Sequence, residues 1–129
     1  MKLLLDTHIW IWYLLGDTRL SENIQTAISD EINELWLSPI SIWETLLLAE
    51  KGRIILKPSP EKCVQNSLQQ LDTKEAPLSN DIAILGRQLD LVHQDPADRF
   101  IAATAVYYGL TLVTVDGNLT KAACLNTLS

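Results

Sequence analysis

Residues 95 to 117 read Asp-Pro-Ala-Asp-Arg-Phe-Ile-Ala-Ala-Thr-Ala-Val-Tyr-Tyr-Gly-Leu-Thr-Leu-Val-Thr-Val-Asp-Gly. A helix, a stop and a strand are written there in order. Asp95-Pro96 sets up a helix from Ala97 to Tyr108, because proline suits the first helical position, and Gly109 closes it. Leu110–Val115 is β-branched and apolar and reads as a strand. Asp116-Gly117 turns that strand into a short terminal helix.

The same alternation runs outward to both ends of the chain. Lys2–Leu5 is a short apolar run ending at Asp6, which fits a strand buried on both faces. His8–Leu15 reads as a helix stopped near Gly16. Ser21 offers an N-cap for a helix to about Ile32, with Ile24, Ala27, Ile28 and Ile32 at helical spacing. Leu35–Leu37 is a second strand, and Ser38-Pro39 opens a helix to Lys51, with Gly52 as its stop. Pro58 and Pro60 punctuate a connector, and Pro60 opens a helix through Leu71. Ala76–Leu78 is a candidate third strand, Asn80 or Asp81 caps a helix through Leu89, and Leu125–Leu128 is a candidate edge strand. The pattern predicts one α/β domain over residues 1–129. Its expected architecture is a three-layer α/β/α sandwich with a central, mostly parallel sheet. In such folds the reactive crevice lies at the carboxyl ends of the strands.

Composition sets bounds on this reading. Of the 129 residues, 47% are apolar and 20% charged, which excludes a disordered chain. Sixteen acids against 10 bases give a net charge of −6, which taken alone speaks against a phosphate-binding surface. Cys63 and Cys124 form no CxxC and no zinc spacing, and read as buried free thiols of a cytoplasmic protein. No signal peptide or membrane-spanning run is evident. His8 and His93 are too isolated to anchor a Ser-His-Asp or Cys-His arrangement and read first as hydrogen-bonded structural histidines. Trp10, Trp12, Trp36 and Trp43 read as core or interface rather than base-stacking residues. Lys51 and Arg53 are either an RNA-facing basic spot or a helix C-terminal cap.

Four acids stand where the local pattern wants apolar or turn residues. Asp6 ends the first strand and Asp116 ends the Leu110–Val115 strand. Glu44 shares an apolar helix stripe with Ile40, Leu47 and Leu48, and Asp98 shares a face with Ile101, Ala102 and Ala105. Each has an ordinary structural reading. Asp6 can cap the next helix, Ser41 and Glu44 match a capping box, Asp98 can sit in a first turn behind an Asp95 cap, and Asp116-Gly117 is a common turn pair. Together they fall on one edge of the sheet. A convergent cluster of carboxylates does not stay ionised without a cation, and all-oxygen ligands select Mg²⁺ or Mn²⁺. The chemistry that follows is metal-assisted attack on a phosphodiester.

At these residues the chain resembles the PIN-domain family, and within it the VapC-type toxin ribonucleases. The matching pieces are Leu4-Leu5-Asp6-Thr7, Ser38-Pro39-Ile40-Ser41-Ile42-Trp43-Glu44, Asp95-Pro96-Ala97-Asp98-Arg99-Phe100-Ile101-Ala102-Ala103-Thr104-Ala105 and Leu112-Val113-Thr114-Val115-Asp116, in family order over nearly the whole chain. The resemblance implies an α/β/α fold and Mg²⁺- or Mn²⁺-dependent endoribonuclease activity. It also implies a homodimer and neutralisation by a small VapB-like antitoxin. Asp6, Glu44 and Asp98 match the family's three central acids as metal and catalytic residues, and Asp116 matches the more variable fourth. Thr7 and Ser41 resemble family positions that support the metal site, and Thr114 stands beside an acid in the same way. Arg99 is a candidate substrate-phosphate contact, its alternative being a solvated surface charge. Asp95 reads as an N-cap, with a fifth site acid as the alternative.

Rival readings fit less well. A receiver-type phosphoacceptor domain wants an acidic pair after the first strand and a late lysine; here Thr7 and His8 follow Asp6, and Leu110–Asp116 carries no lysine. A haloacid-dehalogenase phosphatase wants an acid where His8 stands. A catalytically silent PIN-like RNA- or protein-binding module has no reason to keep four such carboxylates. Setting those four aside leaves 12 acids against 10 bases, so most of the negative charge is accounted for by one expected cation site.

Overall fold

The computed structural model describes residues 1–92 and 94–129; the expectation for His93 lies outside the described residues. Among the described residues twelve elements follow one another: β1 (Lys2–Leu5), α1 (Thr7–Leu15), α2 (Glu22–Ser29), β2 (Glu34–Leu37), α3 (Pro39–Glu50), α4 (Pro60–Gln70), β3 (Thr73–Glu75), α5 (Asn80–Gln88), α6 (Pro96–Tyr108), β4 (Thr111–Val113), α7 (Gly117–Thr120) and β5 (Thr127–Leu128). The strands form one sheet in the order β3-β2-β1-β4-β5, and every pairing is parallel.

Alternation along β1 explains the layers. Successive strand residues face opposite sides. Leu3 and Leu5 enter a core with Leu35, Leu37 and Val113, covered by Ile9 and Trp10 of α1, Ile24 and Ile28 of α2 and Val64 of α4. Leu4 and Leu112 enter a second core, covered by Ile101, Ala102 and Ala105 of α6 and Leu119 of α7. A parallel central strand is apolar on both faces because helices cover both. The fold is therefore the predicted three-layer sandwich.

Strand order reverses at β1, which has β2 on one side and β4 on the other. The register Leu4↔Trp36 and Leu5↔Val113 brings the carboxyl ends of the three strands side by side. The ladder runs one residue further, with Asp6 N–H donating to Val113 O at 3.0 Å. Such a switch point opens a crevice at the carboxyl edge.

Several boundaries differ from the sequence expectation. α2 stops at Ser29, not Ile32, because Asp30 turns the chain: its carboxylate accepts from Ile32 N–H at 3.0 Å, and Asn33 Nδ2 caps Ala27 O at 2.9 Å. β3 is Thr73–Glu75, not Ala76–Leu78, since Pro77 has no N–H and the last ladder bond is Ala76 N–H to Leu37 O at 2.9 Å. Its polar sequence hid it from an apolar-run search, as charged residues on outer strands do. β4 is shorter than Leu110–Val115, and β5 shorter than Leu125–Leu128. The cap of α5 is Ser79, whose Oγ accepts from Ile82 N–H at 3.2 Å, in place of Asn80 or Asp81. Gly16 and Gly109 close α1 and α6 in the left-handed region, at φ 62° and 66°. Cys63 is half-buried and Cys124 exposed, both free, so the expected burial holds for neither in full. No helix among the described residues is long and apolar enough to cross a membrane.

The two-sided burial of β1 sets a stability prediction. Leu4→Ala removes a fully buried side chain from the central strand and is expected to cost about 3 kcal/mol in urea unfolding. Ile32→Ala, at a residue 84% exposed, is expected to stay within about 0.5 kcal/mol of the wild type.

Candidate active site at the carboxyl edge

The site is built from residues that leave the strands. Asp6 follows β1 directly, caps α1 and is 7% exposed. Its Oδ1 accepts from Thr7 N–H at 2.8 Å and its Oδ2 from Thr114 Oγ1 at 2.7 Å. Thr114 follows β4 and is fully buried; its Oγ1 accepts in turn from Asp116 N–H at 3.1 Å. Asp6 is thus fixed from β1's own continuation and from the neighbouring strand.

Glu44 comes from α3. Ser38 is the N-cap of that helix, its Oγ accepting from Ile40 N–H at 3.2 Å, and Pro39 is the first helical residue. Ser41 and Glu44 are therefore inside the helix, and the capping box that their spacing suggests does not form. Thr7 Oγ1 lies 2.6 Å from Glu44 Oε1 and 2.9 Å from Ser41 Oγ. A hydroxyl has one proton, and an ionised carboxylate can only accept, so the Thr7 proton goes to Glu44 and Ser41 can donate to Thr7. Thr7 and Ser41, both buried, join β1's end to α3.

The electrostatics follow from burial. Desolvation pushes the Asp6 carboxyl above the ordinary carboxylate range, against the opposing pull of the Thr114 and Thr7 hydrogen bonds and of His8; the charge of Asp116 raises it further. Desolvation also raises Glu44, opposed by the Thr7 hydrogen bond, while Asp95 and Asp6 add like-charge repulsion. Among the described residues no lysine or arginine pairs with either group; the ion pairs Arg19–Asp17 and Lys74–Glu34 involve other carboxylates.

The remaining expected residues occupy the neighbourhood unequally. Asp116 is half-buried and caps α7, its Oδ1 accepting from Asn118 N–H at 2.9 Å and Leu119 N–H at 3.3 Å. Asp98 is half-buried in the first turn of α6, which packs against α3. Asp95 is the N-cap of α6, with Oδ1 accepting from Ala97 N–H at 2.9 Å, and it also acts electrostatically on Glu44. The cap and acid readings of Asp95 are therefore compatible. Its place three residues before Asp98 was the available signal.

Arg99 is not the solvated surface charge of its alternative reading. It is 7% exposed, and its guanidinium donates to backbone carbonyls rather than reaching solvent. His8 is exposed; its ring lies 6.2 Å from that of Trp12, within electrostatic reach of Asp6 and Glu44. Trp10 is buried and Trp12 and Trp36 half-buried, but Trp43 is 59% exposed on α3. Lys51 and Arg53 are exposed, Lys51 as the C-cap of α3.

Hard oxygen donors, raised proton affinity and mutual repulsion together fit a divalent cation chemically. Among the described residues no three His, Cys, Asp or Glu side chains converge tightly enough to form a ready-made cage. Asp6 is linked electrostatically to Glu44 and Asp116, and Glu44 to Asp95.

Fold and site together define a class. The PIN domain model matches residues 3–124, and the chain belongs to that family. It is 35% identical over 119 residues to Ribonuclease VapC22 of Mycobacterium tuberculosis, covering 90% of this chain and 88% of the relative. Its fold is shared with the structure of VapBC2 from Rickettsia felis bound to a DNA fragment from their promoter (TM-score 0.70, 17% identity, 99% of this chain and 98% of that one). It is shared also with VapBC-1 from nontypeable Haemophilus influenzae (TM-score 0.69, 18% identity, 100% and 98%).

The raised proton affinity of Glu44 has a testable sign. A carboxyl whose folded pKa exceeds its unfolded value holds its proton more tightly when folded. Its stabilising contribution is complete below the unfolded pKa, ordinarily 4.5, and is lost as pH rises through the folded one. Glu44→Gln keeps an acceptor for Thr7 and removes the charge. In EDTA it is expected to raise Tm at pH 7, with the gain shrinking as pH falls toward 4; an equal or lower Tm at pH 7 contradicts the burial argument.

Proposed function

We propose that this chain is a Mg²⁺- or Mn²⁺-dependent endoribonuclease, the toxin member of a toxin–antitoxin pair. The observation that carries the reading is the hydrogen-bonded and mutually repelling pair of buried Asp6 and half-buried Glu44 at the switch point of the sheet. Two carboxylates held this way, with no lysine or arginine paired to either among the described residues, cost stability and are explained by a cation that arrives from solution. The similarity to a protein named Ribonuclease VapC22 supports RNA as the substrate. The VapBC toxin–antitoxin complexes among the fold neighbours suggest a small antitoxin as the partner.

In this reading Asp6, Glu44, Asp98 and Asp116 hold the ion. When bound, it lowers the pKa of a water and polarises a phosphoryl oxygen. The chain's own residues prepare that site. Thr7 and Thr114 orient Asp6, Thr7 orients Glu44, and Asp116 is set by its N–H bond to Thr114 and by capping α7. Asp95 adds negative charge at the rim near Glu44. The high proton affinity of Asp6 and Glu44 makes protons competitors for the cation, so activity should fall as pH drops.

The test is cleavage of single-stranded RNA by the purified protein with Mg²⁺ or Mn²⁺. EDTA is expected to abolish it. Asp6→Asn and Asp98→Asn are each expected to lower the rate by at least about 100-fold, the scale of several kcal/mol of charge stabilisation. Cleavage that survives EDTA, or both substitutions, overturns the metal reading.

A further inference from the structure

We propose that Arg99 is a positioning residue: it ties the end of α5 and the segment after it to α6, and so fixes Asp95 and Asp98 relative to Glu44. The inference rests on the metal-site reading above.

The geometry begins with an unfinished helix end. α5 ends at Gln88, and its C-cap Leu89 is in extended backbone, without the left-handed glycine that closes α1 and α6. The last carbonyls of such a helix need donors from elsewhere. Arg99, one turn into α6, serves one of these carbonyls and two just beyond the helix. Its Nε donates to Gly86 O at 2.8 Å, an Nη2 to Leu89 O at 2.8 Å, and an Nη1 to Leu91 O at 3.4 Å. A positive group at a helix C-terminus is also favourable electrostatically. The fork is buried, where each bond is stronger and each lost partner dearer in free energy.

These acceptors lie just before the chain that leads into α6. Gly86 belongs to α5, while Leu89 and Leu91 begin the connector that ends at Asp95, the cap of α6. The helices lie in contact at Gly86: a Cβ there would stand at ordinary van der Waals distance, 3.5 Å from Arg99 O and 3.7 Å from Ala103 Cβ. One guanidinium therefore sets where α6 begins. α6 in turn packs on α3, which carries Glu44. A lysine has one ammonium and no rigid fork, and cannot serve three carbonyls spread this way.

The test compares Arg99→Lys and Arg99→Met with Ile82→Ala, which opens a cavity at a fully buried position of the same α5. Three measurements are made where all variants are folded: Mn²⁺ affinity by calorimetry, amide exchange over residues 89–95, and RNA cleavage. Arg99→Lys is expected to weaken Mn²⁺ roughly tenfold or more, the scale of lost outer-shell support, and to speed exchange in that segment. Arg99→Met should do more, and if it does not fold, the lysine variant decides. Ile82→Ala should stay within twofold of wild-type affinity although it unfolds more easily. Arg99→Lys within twofold of wild type, Ile82→Ala losing as much, or no Mn²⁺ binding by the wild type would each overturn the positioning role. A wild type that binds Mn²⁺ but cleaves no RNA would instead defeat the ribonuclease reading, and the affinities would still judge Arg99.

Discussion

A carboxylate buried at the end of the central strand is the constraint on which the rest of the site depends. Asp6 sits where β1 stops, with a neighbour strand on each side, and it is 7% exposed. Leaving an ionised group there without partners would cost several kcal/mol. Two hydrogen bonds, from Thr7 and Thr114, offset part of that cost without removing the charge. What remains is a raised proton affinity of the Asp6 carboxyl. The helix caps, the parallel register and the buried hydroxyls all hold this arrangement in place.

The scaffold delivers the acids by short-range rules. Asp6, Asp95 and Asp116 are N-caps of α1, α6 and α7, so each lies where chain direction reverses near the carboxyl edge. Glu44 is different, because it sits within α3 and reaches the edge through the helix's own rotation. The cap geometry is what brings these three carboxylates to helix starts near that edge. A cap places a carboxylate at a helix N-terminus, where the backbone dipole favours negative charge. Arg99 completes the other end of the logic by supplying positive charge to the open C-terminus of α5.

Much of this was legible in the sequence because it was written in local chemistry. The apolar run Leu3–Leu5 ending in Asp6, the Ser38-Pro39 and Asp95-Pro96 starts and the Gly16 and Gly109 stops each name a backbone conformation, and the structure has them. What was not legible depends on tertiary context. β3 is polar because it lies at the sheet's edge, and its partner strand is distant in sequence. Arg99 reads as a surface charge until the α5 carbonyls are placed beside it. The Ser41–Glu44 spacing suggests a capping box, and only the Ser38 cap shows that Glu44 is directed to the site instead. Composition misled in a similar way: a net charge of −6 counts acids without locating them.

The central claim is that the carboxyl edge holds a divalent cation that offsets the charge of Asp6 and its neighbours. Thermal unfolding of the metal-free protein against increasing Mn²⁺ tests it most directly, since a ligand that binds only the folded state stabilises by RT ln(1 + [L]/Kd), about 2.7 kcal/mol at 100 times Kd. The account predicts a Tm that climbs by several degrees at pH 7, climbs less at pH 5, and does not respond in Asp6→Asn. A wild-type Tm unmoved by millimolar Mn²⁺, or an equal rise in Asp6→Asn, would contradict it.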